Sequence, residues 1–217
     1  MRDFTEIVMV LDRSSSMEKI RGATIESFNQ FTKDQAEIGD NASLSLYTFA
    51  TEVTRTFMDK PINKVDKLTL ETYKPDGYTA MNDAIGLAID DLGEKLAKMD
   101  EKDRPNKVVV VILTDGEENM SKRFNISQIR EKIKHQETKY NWQFLFLGAN
   151  IDAVSVGANY GLISAKCLNF TADAAGSSGA MISNTKALRE YRTGKLSACN
   201  YSQEDQDASN KIMVANK

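Results

Sequence analysis

Residues 7–16, IVMVLDRSSS, change within one step from an apolar run to an acid, an arginine and three serines. A short continuous apolar run that is rich in β-branched residues is typical of a strand buried in a parallel sheet. After it, Met17, Ile20, Phe28 and Phe31 recur at helical spacing. A buried strand that ends in polar side chains and leads into a helix predicts an α/β fold. In such folds ligands bind at the carboxyl ends of the strands.

Further apolar runs alternate with helical patterns along the chain. KVVVVILTDG at 107–116 predicts a second central strand, and WQFLFLG at 142–148 predicts another. SLSLYTF at 43–49 and EVTRTF at 52–57 both alternate, so they predict an antiparallel hairpin. We therefore predict a doubly wound, Rossmann-like sheet that is mostly parallel, with one antiparallel edge strand and helices on both faces.

The helical patterns suggest how the chain divides. The clearest amphipathic helix runs from Met81 to Met99, and a later one passes through Ile182, Leu188 and Tyr191. No internal repeat or linker precedes residue 193, so we predict one domain over residues 1–192. Residues 193–217 are polar, and we expect them to form a loosely packed or mobile extension.

Composition excludes several classes of function. The 217 residues carry a net charge of −3, so no excess of basic residues points to a nucleic-acid partner. The first apolar run is far too short to span a membrane and lacks the cleavage site of a signal peptide. Cys167 and Cys199 are not spaced as a CxxC pair or a disulfide framework. We expect a cytoplasmic protein that contacts neither nucleic acid nor membrane, and the sequence leaves the oligomeric state open.

Oxygen-bearing side chains follow the two central strands. Asp12, Ser14 and Ser16 come after the first, Asp115 ends the second, and Thr79 precedes the clearest helix. Because the carboxyl ends of parallel strands meet at one edge of the sheet, we expect these residues to converge. Oxygen-only sites favour Mg²⁺, Mn²⁺ or Ca²⁺ over zinc. The pattern predicts a site for a divalent cation.

These motifs resemble the metal-ion-dependent adhesion site (MIDAS) of von Willebrand factor A (vWA) domains. DRSSS matches the Asp-x-Ser-x-Ser element, and a Thr in a later loop and an Asp ending the fourth strand complete the motif. The resemblance covers roughly residues 4–192, and Ser15 stands where many bacterial members carry Gly. All five motif positions are filled, by Asp12, Ser14, Ser16, Thr79 and Asp115.

The resemblance implies a role for each of these residues. Ser14, Ser16 and Thr79 would contact the metal directly, whereas Asp12 and Asp115 would act mainly through water. Neutral hydroxyls barely offset the charge of the ion, which therefore stays electrophilic and keeps a position open for a carboxylate from a partner protein. The implied function is a non-catalytic, metal-dependent protein-binding module that acts as an adaptor.

Three alternatives to a partner-binding metal site are consistent with parts of this pattern. Ser16 and Thr79 could simply cap helices. A Mg²⁺-dependent phosphohydrolase of the haloacid-dehalogenase type needs a second Asp where this chain has Ser14, and no phosphate-binding loop is present. A metal-independent scaffold in a larger assembly is the third alternative.

Several neighbouring residues have simpler explanations. Tyr78 could contact a partner or pack within its loop. Glu117 and Glu118 are expected in a solvated loop, and Asp83 in the first turn of a helix, where its charge is favourable. His135, the only histidine, is expected on the surface.

Overall fold

A computed structural model describes residues 2–215 of the chain, and within them six strands form one sheet in the order β3-β2-β1-β4-β5-β6. The strands are β1 (Arg2–Asp12), β2 (Ala42–Phe49), β3 (Val53–Pro61), β4 (Pro105–Thr114), β5 (Gln143–Ala149) and β6 (Cys167–Phe170). All neighbouring pairs are parallel except β2 and β3, which form the antiparallel hairpin. The predicted fold class is confirmed.

Strand order reverses between β1 and β4. From β1 the chain moves outward to β2, and from β4 it moves outward to β5 on the other side. The register places Leu11 beside Leu113, so the two central strands end at the same level. Loops that leave such a switch point diverge and open a crevice. Asp12 and Asp115 stand at its two sides.

Helices cover both faces of the sheet. They are α1 (Arg21–Ile38), α2 (Met81–Lys98), α3 (Ile126–Tyr140), α4 (Ala153–Asn159), α5 (Ala174–Arg192) and α6 (Gln203–Ala215). Because strand side chains alternate, Met9 joins the core under α1 and α5, whereas Val8 and Val10 join the core under α2, α3 and α4. Two apolar cores therefore hold the central strand rigidly between them.

Ile182 does not belong to either core. It is exposed, and α5 instead buries Met181, Leu188 and Tyr191 toward the sheet. No helix within residues 2–215 combines the length and apolarity needed to cross a membrane.

The expectation of a loosely packed extension after residue 192 is wrong for the part that the structure describes. Cys199, Tyr201 and Ser209 are buried. The Tyr201 N–H donates to the Ala165 carbonyl at 2.9 Å, and the Asn169 N–H donates to Ser209 Oγ at 2.7 Å. Strand β6 is the edge of the sheet, so its free backbone groups need partners, and the extension supplies one. Although the extension is polar in composition, a few of its residues are buried and hold it against the domain.

Candidate metal centre

Three of the five predicted site residues are in direct contact. Ser14 Oγ lies 3.1 Å from Ser16 Oγ, and Ser16 Oγ donates to Asp115 Oδ1 at 2.6 Å. The two serines follow β1 through a short 3-10 turn over Ser15–Ile20 that leads into α1. Asp115 follows β4. The switch point of the sheet thus places hydroxyls from one loop against a carboxylate from another.

Asp12 is fully buried at the end of β1 and orients the first loop. Its Oδ1 accepts the Ser14 N–H at 2.6 Å, and its Oδ2 accepts the Thr114 hydroxyl at 2.5 Å. Burial raises the pKa of Asp12 to about 6 even though the hydrogen bonds from Thr114 and Ser14 lower it, and the charge of Asp115 raises it further. Burial also raises the pKa of Asp115, against the hydrogen bond from Ser16. A nearby cation would stabilise both charges.

Thr79 reaches the same crevice, as the position of Gly116 shows. A Cβ atom added at Gly116 would lie 3.5 Å from Thr79 Oγ1 and 4.0 Å from Ser16 Oγ. The backbone of Gly116 is held by Thr114, whose hydroxyl accepts the Gly116 N–H at 3.1 Å and lies 3.0 Å from the Gly116 carbonyl oxygen. A side chain here would fill the space between the hydroxyls, so glycine keeps a small cradle open.

The loop before α2 is tied to the first loop through its backbone. The Ser15 N–H donates to the Gly77 carbonyl at 3.1 Å, and the Asp76 N–H donates to the Arg13 carbonyl at 2.7 Å. Gly77 has a φ of +74°. A Cβ added there would lie only 2.3 Å from Thr51 Oγ1, so both space and backbone conformation require glycine.

Two supporting residues were not predicted. Thr114 holds Asp12 and Gly116, and Tyr73 donates its hydroxyl to the Asp12 carbonyl at 2.5 Å. The position of Thr114 inside TDG could have indicated its role. Tyr73 comes from an irregular polar stretch and carries no signal in the sequence.

Asn119 is a third supporting residue that was not predicted. The Thr79 N–H donates to Asn119 Oδ1 at 2.9 Å, and the Asn119 N–H donates to the Thr79 carbonyl at 3.1 Å. Both backbone groups of Thr79 are therefore held by one residue of the loop that follows Asp115.

The expectation that Glu118 is merely solvated is wrong. Its carboxylate accepts the N–H groups of Asn82, at the start of α2, and of Met120 and Ser121. Unpaired N–H groups at a helix N-terminus favour such an acceptor. Asp83 likewise accepts N–H groups from Lys122, Arg123 and Phe124 at 2.9 Å each.

Two other residues lie where the sequence suggested, and a third was left open. Glu117 and His135 are exposed. Tyr78, for which partner contact and loop packing were both possible, lies beside Thr79 and is 63% exposed.

The donors gathered at the crevice fit a hard divalent cation. They are three hydroxyls and two carboxylates, all oxygen, with no imidazole or thiolate among them. Residues 2–215 contain no group of three or more His, Cys, Asp and Glu side chains that could hold a metal. Any cation held here would therefore depend on Ser and Thr hydroxyls in addition to the two acids.

Comparison with known proteins identifies the fold family. No curated protein matches the sequence. Among solved structures, proximal thread matrix protein 1 from the mussel byssus is 19% identical, with 86% of this chain and 46% of that chain covered and a TM-score of 0.57. This chain spans about half the length of the mussel protein, for which a structure with a zinc-occupied MIDAS motif also exists.

Two bacterial pilus proteins share the fold as well. The PilB minor pilin from Streptococcus sanguinis is 14% identical, with 86% of this chain and 61% of that chain covered and a TM-score of 0.57. The vWF domain of the type V pili tip protein Mfa5 from Porphyromonas gingivalis is 11% identical, with 85% and 95% covered and a TM-score of 0.58. Residues 6–161 match the family model of the von Willebrand factor type A domain. The match spans well over half of the chain, which therefore belongs to the von Willebrand factor type A domain family.

Proposed function

We propose that this domain is a metal-dependent protein-binding module. It binds Mg²⁺, or Mn²⁺ or Ca²⁺, in the crevice between β1 and β4 and uses the ion to hold a carboxylate of a partner protein. The family acts mostly in adhesion and protein interaction, as in pili and matrix proteins. The observation that carries the proposal is the glycine cradle at Gly116, whose missing side chain leaves room beside Thr79 Oγ1 and Ser16 Oγ.

The five site residues fall into two groups with different roles. The hydroxyls of Ser14, Ser16 and Thr79 would hold the ion, and Asp12 and Asp115 would orient those hydroxyls and offset its charge. When bound, the ion supplies an electrophilic position that a partner carboxylate can fill. Tyr78 offers an exposed aromatic surface at the rim, where it can contact the residue that carries this carboxylate.

We also propose that the domain is not an enzyme. A phosphohydrolase of the haloacid-dehalogenase type needs a second carboxylate where Ser14 stands, and Ser14 Oγ instead contacts Ser16 Oγ. Turnover of a phosphate ester by the metal-loaded chain would favour the enzyme alternative. The cytoplasmic location and the division into residues 1–192 and 193–217 stay predictions.

Thermal melting with EDTA and with millimolar Mg²⁺, Mn²⁺ or Ca²⁺ tests the metal site. A ligand at ~100 times its dissociation constant adds about 2.7 kcal/mol to the free energy of unfolding, enough to raise the melting temperature measurably. We expect this rise in the wild type and in Ser15→Ala, because the Ser15 side chain is exposed between the two site serines. Ser14→Ala and Thr79→Ala should lose it. An equal rise in all four proteins would contradict the assignment.

Capture on immobilised polyglutamate, compared with polyglutamine, tests the partner chemistry. We expect the wild type to bind polyglutamate only when metal is present, because the carboxylate completes the coordination of the ion. Metal-dependent stabilisation without such capture would reject the acidic partner but keep the site. Absence of both would favour the metal-independent scaffold.

A further inference from the structure

The candidate metal centre opens to solvent on the side of Ser16. Ser16 is exposed, whereas Ser14 and Thr79 are only 2% and 4% exposed. Asp12 is fully buried, and Asp115 is half-buried. A partner that reaches an ion in this crevice therefore approaches over Ser16, and the side chains beside Ser16 are the first that it meets.

Lys19 lies on the same face of the chain as Ser16. Both residues belong to the 3-10 turn Ser15–Ile20, and in a 3-10 helix side chains three residues apart are eclipsed. Lys19 is exposed, like Ser16. Burial raises the pKa of Asp115, and the hydrogen bond from Ser16 and the positive charge of Lys19 oppose that rise. The charge of Lys19 therefore acts at the metal centre itself.

The ammonium group of Lys19 has no carboxylate partner in the described part of the chain. Within residues 2–215 it forms no ion pair and no hydrogen bond. Glu18, its neighbour in sequence, pairs instead with Arg21, at 3.5 Å between Glu18 Oε1 and Arg21 Nη1. A carboxylate from outside can therefore pair with Lys19 without breaking an existing contact.

The surface next to Lys19 is open to a partner chain. Gly22 follows Lys19 by three residues, in the first turn of α1, and is exposed. No atom from elsewhere in the described chain lies within 4 Å of a Cβ built at Gly22. The backbone of a partner can therefore come close to the start of α1, beside the Lys19 side chain.

An exposed, unpaired cation beside the open side of the centre favours a further negative charge on the partner. We propose that the partner segment carries two acidic side chains close together. One carboxylate fills the open position on the ion, and the other pairs with Lys19. This inference rests on the proposed metal-dependent function and narrows the partner from any exposed acidic residue to a segment with a pair of acids.

Capped polyglutamine peptides with one or two glutamates test this pairing. In the second kind the glutamates are adjacent or separated by one, two or three glutamines. The chain is saturated with Mg²⁺ at low ionic strength, because salt screens exposed charges. NMR shifts of the Thr79 and Gly116 amides report binding at the centre. Two acids also double the chance that one meets the ion, so we compare between variants the gain in affinity that the second glutamate brings.

Substitutions at Lys19 decide whether it takes the second carboxylate. Lys19→Gln should lower the gain about two- to fivefold, the range of an exposed ion pair. Lys19→Glu should instead prefer a peptide with one glutamate and one lysine, because the charges then match again. Lys33→Gln and Lys33→Glu are the controls, since Lys33 is exposed and unpaired in the described chain, about 20 Å further along α1. They change the net charge equally and should keep the wild-type gain.

An equal gain in the wild type and in Lys19→Gln would overturn this inference. If both kinds of peptide lost affinity together, Lys19 would contact the carboxylate on the ion instead. Equal effects of the Lys33 variants would also overturn it, because overall charge would then explain the gain. In these cases the one-glutamate peptide still binds, and the proposed function stands. If no peptide bound the metal-loaded wild type, the acidic partner and this inference would both be wrong.

Discussion

At the scale of single residues, Asn119 joins the two loops that meet at the candidate metal centre. It holds the N–H and the carbonyl of Thr79 at 2.9 and 3.1 Å. Residues that orient a metal ligand commonly change metal affinity when removed. We expect Asn119→Ala to weaken Mg²⁺ binding about tenfold and to speed hydrogen exchange of the Thr79 amide even in EDTA. Titration calorimetry and exchange measurements check this.

A matched asparagine provides the control for that experiment. Asn63 is exposed and donates to Asp40 Oδ1 at 2.9 Å, far from Thr79 in the fold. Asn63→Ala should change neither quantity. If Asn119→Ala keeps full affinity while the Thr79 amide exchanges faster, the hydrogen bonds order the loop but do not position the ligand.

Glu6 is a second residue whose environment leads to a prediction, here for the pH dependence of stability. It is buried in β1, where Ser43 and Ser45 donate to its carboxylate at 2.7 and 2.8 Å and Lys95 Nζ lies 3.5 Å away. Burial raises its pKa above the ordinary value of 4.5, against the opposing effects of Lys95 and the serines. Lys95 Nζ also pairs with Asp59, at 2.8 Å. The positive charge of Lys95 is therefore divided between two carboxylates and stabilises the ionised form of Glu6 only in part.

The sign of the resulting pH dependence follows from proton binding. Above pH 4.5 the native chain keeps a proton on Glu6 that the unfolded chain has lost, so the contribution of this group to stability falls as pH rises through the raised pKa. Glu6→Gln should therefore become more stable relative to the wild type as pH rises from 4.5 through the raised native pKa of Glu6. Urea unfolding at several pH values measures this. The exposed Glu26→Gln should run parallel to the wild type, and so would Glu6→Gln if the pKa were ordinary.

At the scale of secondary structure elements, Arg192 ties the ends of two helices together. It ends α5 and is 5% exposed. Its guanidinium donates to the Gln35 carbonyl at 2.6 Å and to the Gly39 carbonyl at 3.1 Å, at the C-terminus of α1. Burial lowers the pKa of Arg192 to about 10, with a smaller effect from Arg189. A cation at a helix C-terminus is favourable, and the last carbonyls need donors.

Removing Arg192 should therefore destabilise the fold. Arg192→Leu leaves buried carbonyls unpaired, so we expect the free energy of unfolding to fall by about 2–4 kcal/mol. Urea unfolding measures the loss. Arg189, one turn earlier on α5, is exposed, and Arg189→Leu should change stability by less than about 0.5 kcal/mol. Equal losses in both variants would mean that the buried hydrogen bonds add nothing.

At the scale of the whole molecule, the C-terminal extension completes the edge of the sheet. It buries Cys199 and Tyr201 and gives β6 a hydrogen-bond partner through Ser209. Gln143 Oε1 accepts both the Cys199 N–H, at 3.2 Å, and Lys166 Nζ, at 3.3 Å. An uncovered edge strand pairs readily with other chains.

A chain that ends at residue 192 tests both the predicted boundary and this packing. We expect it to melt at a lower temperature than the full chain and to self-associate, because apolar surface and the β6 edge become exposed. Melting curves and light scattering measure the two effects. A chain that ends at residue 215 should show neither the lower melting temperature nor the self-association. A stable, monomeric chain of residues 1–192 would mean that the extension is dispensable.

The fold could be predicted from the sequence because its signals are local. Strands buried on both faces read as continuous apolar runs, as in 7–11 and 108–113, and α2 shows its buried stripe at regular spacing. The site positions Asp12, Ser14, Ser16, Thr79 and Asp115 could be identified because they match a known family motif in chain order, at two predicted strand ends and in the loop before α2. Their role in metal binding stays a prediction.

The sequence by itself thus determined that the sheet is doubly wound and mostly parallel. It also determined the hairpin and the residues that converge at the crevice. Only the tertiary structure decided what supports them. Tyr73, Asn119 and Glu118 act through hydrogen bonds to residues far along the chain, and the packing of Tyr201 and Ser209 depends on an edge strand more than 30 residues earlier. Periodicity records which face a residue buries, because that is set by its neighbours in sequence. It cannot record which distant polar group a buried donor or acceptor will meet, because that is fixed only when the loops close over the sheet.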